Sequence, residues 1–172
     1  MKAILVRHGE PDYEDVRKWG NIGLGFELGK LTEKGEQQAY DRAQDPNLQD
    51  AELIVSSPYT RALYTAAIIS KETQIPLKIE TDLHEWFGDV DFIFDYSIDE
   101  SSKDYFARKG KRTKNHKFRF EEYEVIKKRV RAVLEKYKDY DKVIFVCHGI
   151  VISSMTHFDD MIEHCGIREL EV

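Results

Sequence analysis

The chain has 172 residues and a mass of 20.2 kDa, a size typical of one globular domain with a substantial core. Hydrophobic residues make up 41% and charged residues 34%, with only 4 Pro, which excludes disordered and collagen-like classes. The formal net charge of −6 argues against general nucleic-acid binding, because phosphate attraction would need a segregated basic face.

The sequence indicates a cytoplasmic protein that does not associate with a membrane. The apolar runs are too short to span a bilayer, and the first predicted strand begins at Met1, which leaves no room for a signal peptide. The two cysteines, Cys147 and Cys165, form neither a Cys-x-x-Cys pair nor a disulfide framework. We therefore expect reduced thiols.

The first predicted strand ends at a reactive pair of residues. Residues 3–6 are apolar without alternation, which is typical of a strand covered on both faces. Pro11 prevents the ladder from continuing, and Gly9 permits a tight turn. In open α/β sheets the ligand crevice lies at the carboxyl edge of the strands. Arg7 and His8 are therefore predicted to lie in that crevice.

The next segment combines a polar loop with a predicted helix. Three glycines of the loop over 12–30 do not match the dinucleotide-binding spacing, which favours flexibility over phosphate binding; they are Gly23, Gly25 and Gly29. Thr32 can cap a helix over about 33–43, which ends before an Asp-Pro pair.

A second buried strand is predicted over 53–56, followed by a helix. Ser57 is the expected N-cap and Pro58 the first helical position, and the helix continues to about Thr73. Arg61 then falls in the first helical turn. A cation beside the positive end of a helix dipole is unfavourable by up to about 1 kcal/mol, and a bound anion would reverse that sign.

A short third strand over 77–80 leads to a carboxylate in apolar surroundings. Glu85 follows this strand and has Leu83, Trp86 and Phe87 as close neighbours in the chain. Apolar surroundings raise the pKa of a carboxyl group.

The segment 89–119 is predicted to be an excursion over the sheet, partly helical. It is acidic and aromatic to Tyr105 and strongly basic from Arg108 to Arg119. Three interpretations of the basic part stay open: a solvated lid that neutralises the acidic stretch, a funnel for an anionic substrate, or a nucleic-acid patch.

The last third of the chain repeats the pattern of the first strand. Apolar residues at helical spacing predict an amphipathic helix over 120–137. A buried strand over 143–147 then ends at His148-Gly149. The remaining predicted elements are a helix over 150–164 and an edge strand over 168–172.

Five side chains are therefore expected at corners between strands and helices: Arg7, His8, Arg61, Glu85 and His148. Two arginines, two histidines and a helix N-terminus suit a dianionic phosphoryl group, because the planar guanidinium matches its oxygens and the dipole adds positive potential. One histidine then remains available as a nucleophile.

The sequence around these residues resembles the histidine phosphatase superfamily. The motifs are Leu5-Val6-Arg7-His8-Gly9-Glu10, Leu31-Thr32-Glu33-Lys34-Gly35, Ser56-Ser57-Pro58-Tyr59-Thr60-Arg61-Ala62, Leu83-His84-Glu85 and Val146-Cys147-His148-Gly149. The resemblance covers 1–88 and 120–172. It implies the phosphoglycerate mutase-like fold, a three-layer α/β/α sandwich with a mostly parallel central sheet. The whole chain, 1–172, would be one domain with a variable insertion or lid at about 89–119.

The resemblance also implies residue roles. His8 would accept the phosphoryl group as a phosphohistidine, and Glu85 would be the proton donor. The residues implied to hold the phosphoryl oxygens are Arg7, Arg61 and His148, and the implied substrate-binding set adds Gly9, Glu10 and Gly149. The implied activity is that of a metal-independent phosphomonoesterase that needs no cofactor and acts on a small phosphorylated substrate.

Departures from the family pattern leave the substrate and the reaction type open. Glu14 stands where many mutase-type members carry Asn, and Leu28 stands where Asp is common. Mutases are also usually longer in the region of 89–119, so we favour hydrolysis. The alternatives are a phosphoglycerate-type mutase and a non-catalytic phosphate-binding module. The sequence gives no indication of oligomeric state.

Two other chemistries fit less well. His8, His148 and a carboxylate could hold zinc, but the chain has no His-x-His or His-Glu-x-x-His spacing, and the nearby arginines would repel a dication. A cysteine phosphatase would need an arginine six residues after Cys147, where Ser153 stands. The histidines at 84, 116, 157 and 164 are interpreted as ordinary surface or core residues.

Overall fold

The structure is a computed structural model that describes residues 1–19 and 25–172. Its strands are β1 (Lys2–Arg7), β2 (Pro11–Asp12), β3 (Lys30–Leu31), β4 (Leu53–Ser56), β5 (Leu77–Ile79), β6 (Lys142–Cys147) and β7 (Ile167–Glu171). The helices are α1 (Glu14–Lys18), α2 (Glu33–Ala43), α3 (Thr60–Thr73), α4 (Ile98–Ala107), α5 (Tyr123–Lys136) and α6 (Gly149–Ser153). Of the three loop glycines considered above, Gly23 lies outside the described residues.

The central sheet has five strands in the order β5-β4-β6-β1-β7. β1 pairs with β6 in parallel, and the register sets Arg7 opposite Cys147. β4 pairs in parallel with both β6 and β5, whereas β7 runs antiparallel to β1 at the edge. The strands that precede the predicted reactive residues therefore end at one common edge.

Helices cover both faces of the sheet. Alternate residues of β1 point to opposite faces: Ala3 and Leu5 belong to one buried cluster, and Ile4 and Val6 to another. The first cluster includes side chains of α5 and α6 together with Tyr105 of α4, and the second includes side chains of α2 and α3. This arrangement confirms the predicted three-layer α/β/α sandwich and explains why the strands are apolar without alternation.

The loop after β1 has more regular structure than the sequence indicates. Pro11 does not continue the central sheet, but it opens the two-residue strand β2, which pairs with β3. Within the described part of the loop, α1 and a short 3₁₀ turn at Phe26–Leu28 also form. α2 begins as predicted, because the Thr32 hydroxyl accepts a hydrogen bond from the backbone N–H of Gly35 at 3.0 Å.

The boundaries of α3 and α6 differ from the prediction. α3 begins at Thr60 with Tyr59 at the N-cap, whereas the hydroxyl of the expected cap, Ser57, accepts from the N–H of Tyr59 at 3.3 Å and also contacts His148. α6 ends at Ser153 and does not continue to His164. The hydroxyls of Ser153 and Ser154 donate back to carbonyls of their own helix, a competition that weakens helix continuation.

The excursion over 89–119 is partly helical, as predicted. α4 starts with a capping box, in which Ser97 and Glu100 satisfy each other's backbone N–H groups. The helix predicted over 120–137 is observed as α5 but begins at Tyr123 and not at Phe120, and the predicted edge strand is observed as β7. No helix of the described ranges, 1–19 and 25–172, is long and apolar enough to cross a membrane.

Candidate active site

The candidate site lies at the carboxyl edge of β1, β4 and β6. The first residues after these strands are His8, Ser57 and His148, and all three are buried. The ring centroids of His8 and His148 are 5.2 Å apart, with the rings inclined at 62°. The structure therefore brings the two predicted histidines together from strands that are neighbours in the sheet but distant in the chain.

Hydrogen bonds fix the tautomer of His8. Its Nδ1 lies 2.7 Å from the carbonyl oxygen of Gly9, and because a carbonyl can only accept, Nδ1 carries the proton. Nε2 is then the lone-pair nitrogen, and it accepts a hydrogen bond from Arg61 Nε at 3.2 Å. The backbone N–H of His8 donates to the carbonyl of Cys147 at 3.0 Å.

Both histidines are held in the neutral form. Burial lowers the pKa of His8 well below its usual value, and the charge of Arg61 lowers it further. The pKa of His148 is lowered well below its usual value by burial and then by Arg61 and His8. A neutral His8 has the free electron pair that a nucleophile requires.

The turn after β1 depends on a close approach of two glycines. A Cβ on Gly9 would lie 2.4 Å from the carbonyl oxygen of Gly35, so only glycine fits where α2 packs against the turn. Thr65 connects the same turn to α3. Its hydroxyl accepts a hydrogen bond from the N–H of Gly9 at 3.0 Å and donates one to the carbonyl of Arg61 at 2.8 Å.

Arg61 occupies the first turn of α3, as predicted, and is buried. Its guanidinium carbon lies 5.7 Å from the ring centroid of Tyr13 and 5.3 Å from that of Tyr59, within the range of cation–π attraction. Its Nη1 donates to the carbonyl of Phe26 at 3.0 Å. The guanidinium is thus fixed beside Nε2 of His8.

Arg7 approaches the site from the other side. Its Nη1 donates to the carbonyl of Ile162 at 2.5 Å, and among the described residues its buried Nε has no hydrogen-bond partner. Gly149, at the start of α6, lies next to this guanidinium, since a Cβ added there would be in van der Waals contact with Nε at 3.6 Å. A buried cationic N–H without a protein partner is suited to an anionic oxygen.

Glu85 and His148 complete the predicted set. Glu85 Oε1 accepts a hydrogen bond from the N–H of Trp86 at 2.8 Å, and burial raises the pKa of its carboxyl group despite nearby guanidinium groups. His148 Nε2 lies 2.8 Å from Ser57 Oγ. Its buried Nδ1 has no hydrogen-bond partner among the described residues.

Two cavities meet at Glu85. The larger has a volume of about 530 Å³ and reaches Arg61 and Glu85, and the smaller, of about 230 Å³, reaches Arg7, Glu85 and Gly149. Glu85 thus lines both cavities, one on the side of Arg61 and the other on the side of Arg7. The described residues contain no group of three or more His, Cys, Asp or Glu side chains arranged to hold a metal ion.

One residue of the predicted substrate-binding set points elsewhere. The carboxylate of Glu10 contacts Lys34 Nζ at 2.7 Å and Thr32 Oγ1 at 3.1 Å, at the start of α2. Its backbone carbonyl accepts from the N–H of Thr32 at 3.0 Å. The side chain of Glu10 thus braces the turn that carries His8, and it makes no hydrogen bond to the other predicted residues.

Sequence reasoning missed three residues of the site. Ser57 lies within the sequence motif that contains Arg61, and Thr65 lies shortly after it. Their closeness to this motif could have identified both as site residues. His164 has its ring centroid 5.7 Å from that of His8, although it was interpreted as an ordinary histidine. Its proximity follows from the early end of α6, after which the backbone N–H of Cys165 returns to the carbonyls of Arg7 and His8.

The arrangement can hold a tetrahedral anion against a neutral imidazole. Arg7 and Arg61 supply charge and N–H donors, His148 supplies a ring nitrogen, and Glu85 supplies a carboxyl group whose raised pKa favours retention of its proton. Phosphoryl transfer needs mainly such positioning and charge stabilisation.

Comparisons with known proteins agree with this chemistry. The sequence model of the histidine phosphatase superfamily (branch 1) matches residues 3–161. A protein of Hydrogenobacter thermophilus (strain DSM 6534 / IAM 12695 / TK-6), named "Putative phosphoserine phosphatase 2", is 32% identical over 154 residues, which cover 87% of this chain and 74% of that protein.

Solved structures share the fold at lower identity. Mycobacterial glucosyl-3-phosphoglycerate phosphatase in complex with VO3 has a TM-score of 0.74 at 20% identity, covering 99% of this chain and 90% of that chain. The alpha-ribazole phosphatase from Shigella flexneri has a TM-score of 0.71 at 19% identity, covering 100% of this chain and 91% of that chain.

The fold class and the enzyme class expected from the sequence, a phosphoric monoester hydrolase with an unidentified substrate, are confirmed by these matches. The family match covers most of the chain and includes the turns that carry His8, Arg61, Glu85 and His148. The chain therefore belongs to the histidine phosphatase superfamily and has the phosphoglycerate mutase-like fold.

Proposed function

We propose that the protein is a metal-independent phosphomonoesterase that acts through a phosphohistidine on His8. The observation that carries this proposal is the bonding of the His8 ring. Nδ1 donates to the carbonyl of Gly9, and Nε2 presents its lone pair beside Arg61 and His148. This is the geometry of an imidazole prepared to attack phosphorus from Nε2.

In the first step, Nε2 of His8 bonds to phosphorus while the bond from phosphorus to the ester oxygen breaks. The carboxyl proton of Glu85 passes to the departing oxygen, so the leaving group departs as an alcohol. The imidazole becomes positively charged, and its Nδ1–H remains hydrogen-bonded to the carbonyl of Gly9. That carbonyl dipole stabilises the new charge where it develops.

In the second step, the Glu85 carboxylate takes a proton from water, and the water oxygen bonds to phosphorus as the phosphorus–nitrogen bond breaks. His8 returns to its neutral form, Glu85 is again protonated, and inorganic phosphate leaves. Arg7, Arg61 and His148 hold the non-bridging oxygens throughout, which requires Arg61 to exchange its hydrogen bond to His8 for one to the phosphoryl group.

The remaining predicted residues have supporting roles in this proposal. Gly9 allows the turn after β1 to pack against α2, where a Cβ would clash with the carbonyl of Gly35, and Gly149 is proposed to lie beside the phosphoryl group next to Arg7. Glu10 acts from a distance, by fixing the turn through Thr32 and Lys34. The substrate is proposed to be a small phosphate ester held without a metal or a cofactor.

A cytoplasmic location is part of the same proposal. Both cysteines are buried free thiols, which is consistent with a reducing compartment. Burial also raises the pKa of Cys147 to about 12, so this thiol is not a competing nucleophile at neutral pH.

The proposal is tested by hydrolysis of p-nitrophenyl phosphate in the presence of EDTA. We expect unchanged activity with the chelator and a loss on the order of 10⁴-fold in His8→Ala, because the nucleophile is removed. His157→Ala, an exposed histidine outside the site, is the matched control and should keep full activity. Full activity in His8→Ala, or loss of activity with EDTA that metal ions restore, would contradict the proposal.

A further inference from the structure

Aromatic residues form the largest group among the described residues that line the larger of the two cavities. One group, Tyr13 and Tyr59, flanks the guanidinium of Arg61. The other group follows Glu85 in the chain and comprises Phe87, Phe92 and Phe94. Phe92 packs edge-to-face against both Phe87 and Phe94, with ring centroids 5.2 Å and 6.1 Å apart. A leaving group that extends from His8 and Arg61 into this cavity is therefore surrounded by aromatic rings.

Two of these phenylalanines have an unfavourable backbone conformation. Phe92 has φ of 55° and Phe94 has φ of 52°, in the left-handed region that bulky side chains rarely adopt. Such conformations persist only where the surroundings enforce them, and they concentrate at binding and active sites. The strain here serves to present two rings at the cavity.

A buried ion pair enforces this conformation. The carboxylate of Asp89 accepts hydrogen bonds from the N–H groups of Asp91 and Phe94 at 3.0 Å and 2.8 Å. The same carboxylate receives a two-pronged contact from Arg119, at 3.0 Å and 2.7 Å. The short segment that carries Phe92 and Phe94 is therefore fixed to the end of the basic stretch, which gives Arg119 a defined role.

The charges in the cavity disfavour an ionic leaving group. Asp89 is already paired, and the other charged residues that line the cavity, apart from Arg61 and Glu85, are Arg17, Glu27 and Asp99. With Arg61 assigned to the phosphoryl group, a second anionic group on the substrate would meet two carboxylates, Glu27 and Asp99, against one cation, Arg17, among the described lining residues. A highly hydrated leaving group would also lose water against the rings without replacement hydrogen bonds, whereas a planar ring gains stacking contacts.

We propose that the preferred substrates are phosphate monoesters whose leaving group carries a planar aromatic or heteroaromatic ring, as in a nucleoside 5′-monophosphate. This inference rests on the proposed function, and it names the substrate class of the same site. The phosphoryl group lies on His8 and Arg61, and the ring stacks on the aromatic group that contains Phe92. Phe92 and Phe94 are thereby specificity-determining residues outside the phosphoryl site.

The first test compares adenosine 5′-monophosphate with ribose 5-phosphate. Both lose the phosphoryl group from the same primary oxygen of ribose, so they differ chiefly by the base. We expect kcat/KM to be about tenfold or more higher for the nucleotide, because stacking a base on an aromatic side chain gives a gain of this order. Equal values, or a preference for ribose 5-phosphate or phosphoserine, would overturn the inference.

A second pair of substrates shows whether the enzyme prefers nucleobases or aromatic rings in general. 2-Phenylethyl phosphate and propyl phosphate have alcohols of similar acidity, and only the former has a ring. A preference for both adenosine 5′-monophosphate and 2-phenylethyl phosphate supports the general aromatic class, and a preference for the nucleotide alone narrows it to nucleosides. A preference for neither contradicts the inference.

Variants of neighbouring residues test the role of Phe92. Phe92→Ala should lower kcat/KM for adenosine 5′-monophosphate by about fivefold to 100-fold, chiefly through KM, and change that for ribose 5-phosphate by less than about twofold. Phe92→Tyr should retain the selectivity. Ile93→Ala is the matched control, because Ile93 is 62% exposed, comparable with 51% for Phe92, and does not line the cavity. An equal loss for both substrates in Phe92→Ala would refute the assignment.

The outcome distinguishes this inference from the proposed function. His8-dependent hydrolysis of p-nitrophenyl phosphate without any aromatic preference between the matched esters would overturn the inference alone. If wild-type protein hydrolyses no ester of the panel, the proposed function fails and the inference fails with it.

Discussion

The phosphoryl-binding edge and the aromatic segment after Glu85 meet in one cavity, but they are held in place in different ways. At the edge, His8 and His148 follow strands of a central sheet whose register is set by continuous ladders. The aromatic segment has no strand or helix between Glu85 and α4. Its backbone is held by the carboxylate of Asp89 and by scattered hydrogen bonds, such as that from the N–H of Val90 to the carbonyl of Arg119 at 2.8 Å.

The difference indicates a division of labour. Residues that must hold a reacting group to within a fraction of an ångström lie where regular elements end, because the sheet and the helices fix their positions. Residues that recognise the variable part of a substrate lie on an irregular segment, whose conformation can change without disturbing the sheet. Variants in the first region should alter the hydrolysis of every ester alike, whereas variants in the second should alter selectivity or local stability.

The largest effect is expected at Arg61. Arg61→Ala should lower kcat/KM on the order of 10³-fold for all esters, because it removes charge stabilisation of the phosphoryl group. Arg61→Lys should recover part of the activity, since lysine restores the positive charge but cannot form the paired hydrogen bonds that a guanidinium makes to a phosphoryl group. Steady-state kinetics with p-nitrophenyl phosphate and with the non-aromatic propyl phosphate measures both. Lys71→Ala, an exposed residue at the end of the same helix, is the control. A loss confined to aromatic esters would contradict the division of labour.

Glu85→Gln should lower kcat by about 10²-fold to 10³-fold, because the amide cannot donate the proton to the leaving oxygen. The effect should be smaller for p-nitrophenyl phosphate than for alkyl esters, since nitrophenolate leaves without protonation. A uniform loss across leaving groups would argue against a proton-donor role.

The pH profile provides a further check on Glu85. Activity needs protonated Glu85, so it is lost as the pH rises through a pKa that burial has raised. Activity also needs neutral His8, so it is lost as the pH falls through a pKa that burial has lowered. We expect an optimum on the acid side of neutrality, with a basic limb that moves or disappears in Glu85→Gln.

Asp89→Ala should disturb the conformation of the aromatic segment but should not abolish the hydrolysis of phosphate esters. Loss of one partner of a buried ion pair should reduce the free energy of unfolding by about 3 kcal/mol, measured by urea titration. Asp91→Ala is the control, because this exposed neighbour lies 3.5 Å from Arg119 and should change stability by less than about 1 kcal/mol. Equal stability of Asp89→Ala and wild type would show that the segment is fixed by other contacts.

The same ion pair has a defined pH dependence. Burial raises the pKa of Asp89, but the hydrogen bond from Arg119 and those from the N–H groups of Phe94 and Asp91 together outweigh it, so the pKa lies below the usual value. Its stabilising contribution is present above the pKa of the unfolded aspartate and is lost as the pH falls through the folded pKa. The difference between wild type and Asp89→Ala should shrink accordingly in acid.

The smallest effect is expected at the start of α4. Ser97→Ala removes the capping box and should reduce the free energy of unfolding by about 1 kcal/mol, with no change in kcat for p-nitrophenyl phosphate. Ser102→Ala, in the interior of the same helix, should be neutral or slightly stabilising because alanine favours helices. A large drop in kcat in Ser97→Ala would show that the helix start contributes to the chemistry.

The sequence predicted the parts of the molecule that depend on local chemistry. The unbroken apolar runs of β1 and β6 indicated strands covered on both faces, and Thr32 indicated the start of α2. The residues that follow these strands could be assigned to one edge, because parallel strands end on the same side.

The parts that depend on long-range contacts could not be predicted. Ser57 has the sequence pattern of a helix cap, but its hydroxyl is engaged by His148, 91 positions later. His164 approaches His8 only because α6 ends early. Nothing at Phe92 or Phe94 indicates a left-handed backbone, since that conformation is normally occupied by glycine.

The hydrogen bond from Arg61 to His8 has a consequence for the enzyme between turnovers. While the guanidinium occupies Nε2, the nitrogen is shielded from protons, alkylating agents and other adventitious electrophiles. In the proposed mechanism, a phosphate ester removes this cover by competing for the same guanidinium, so the arrival of the correct anion would also uncover the attacking atom. Recognition and activation are thereby combined in one exchange of partners.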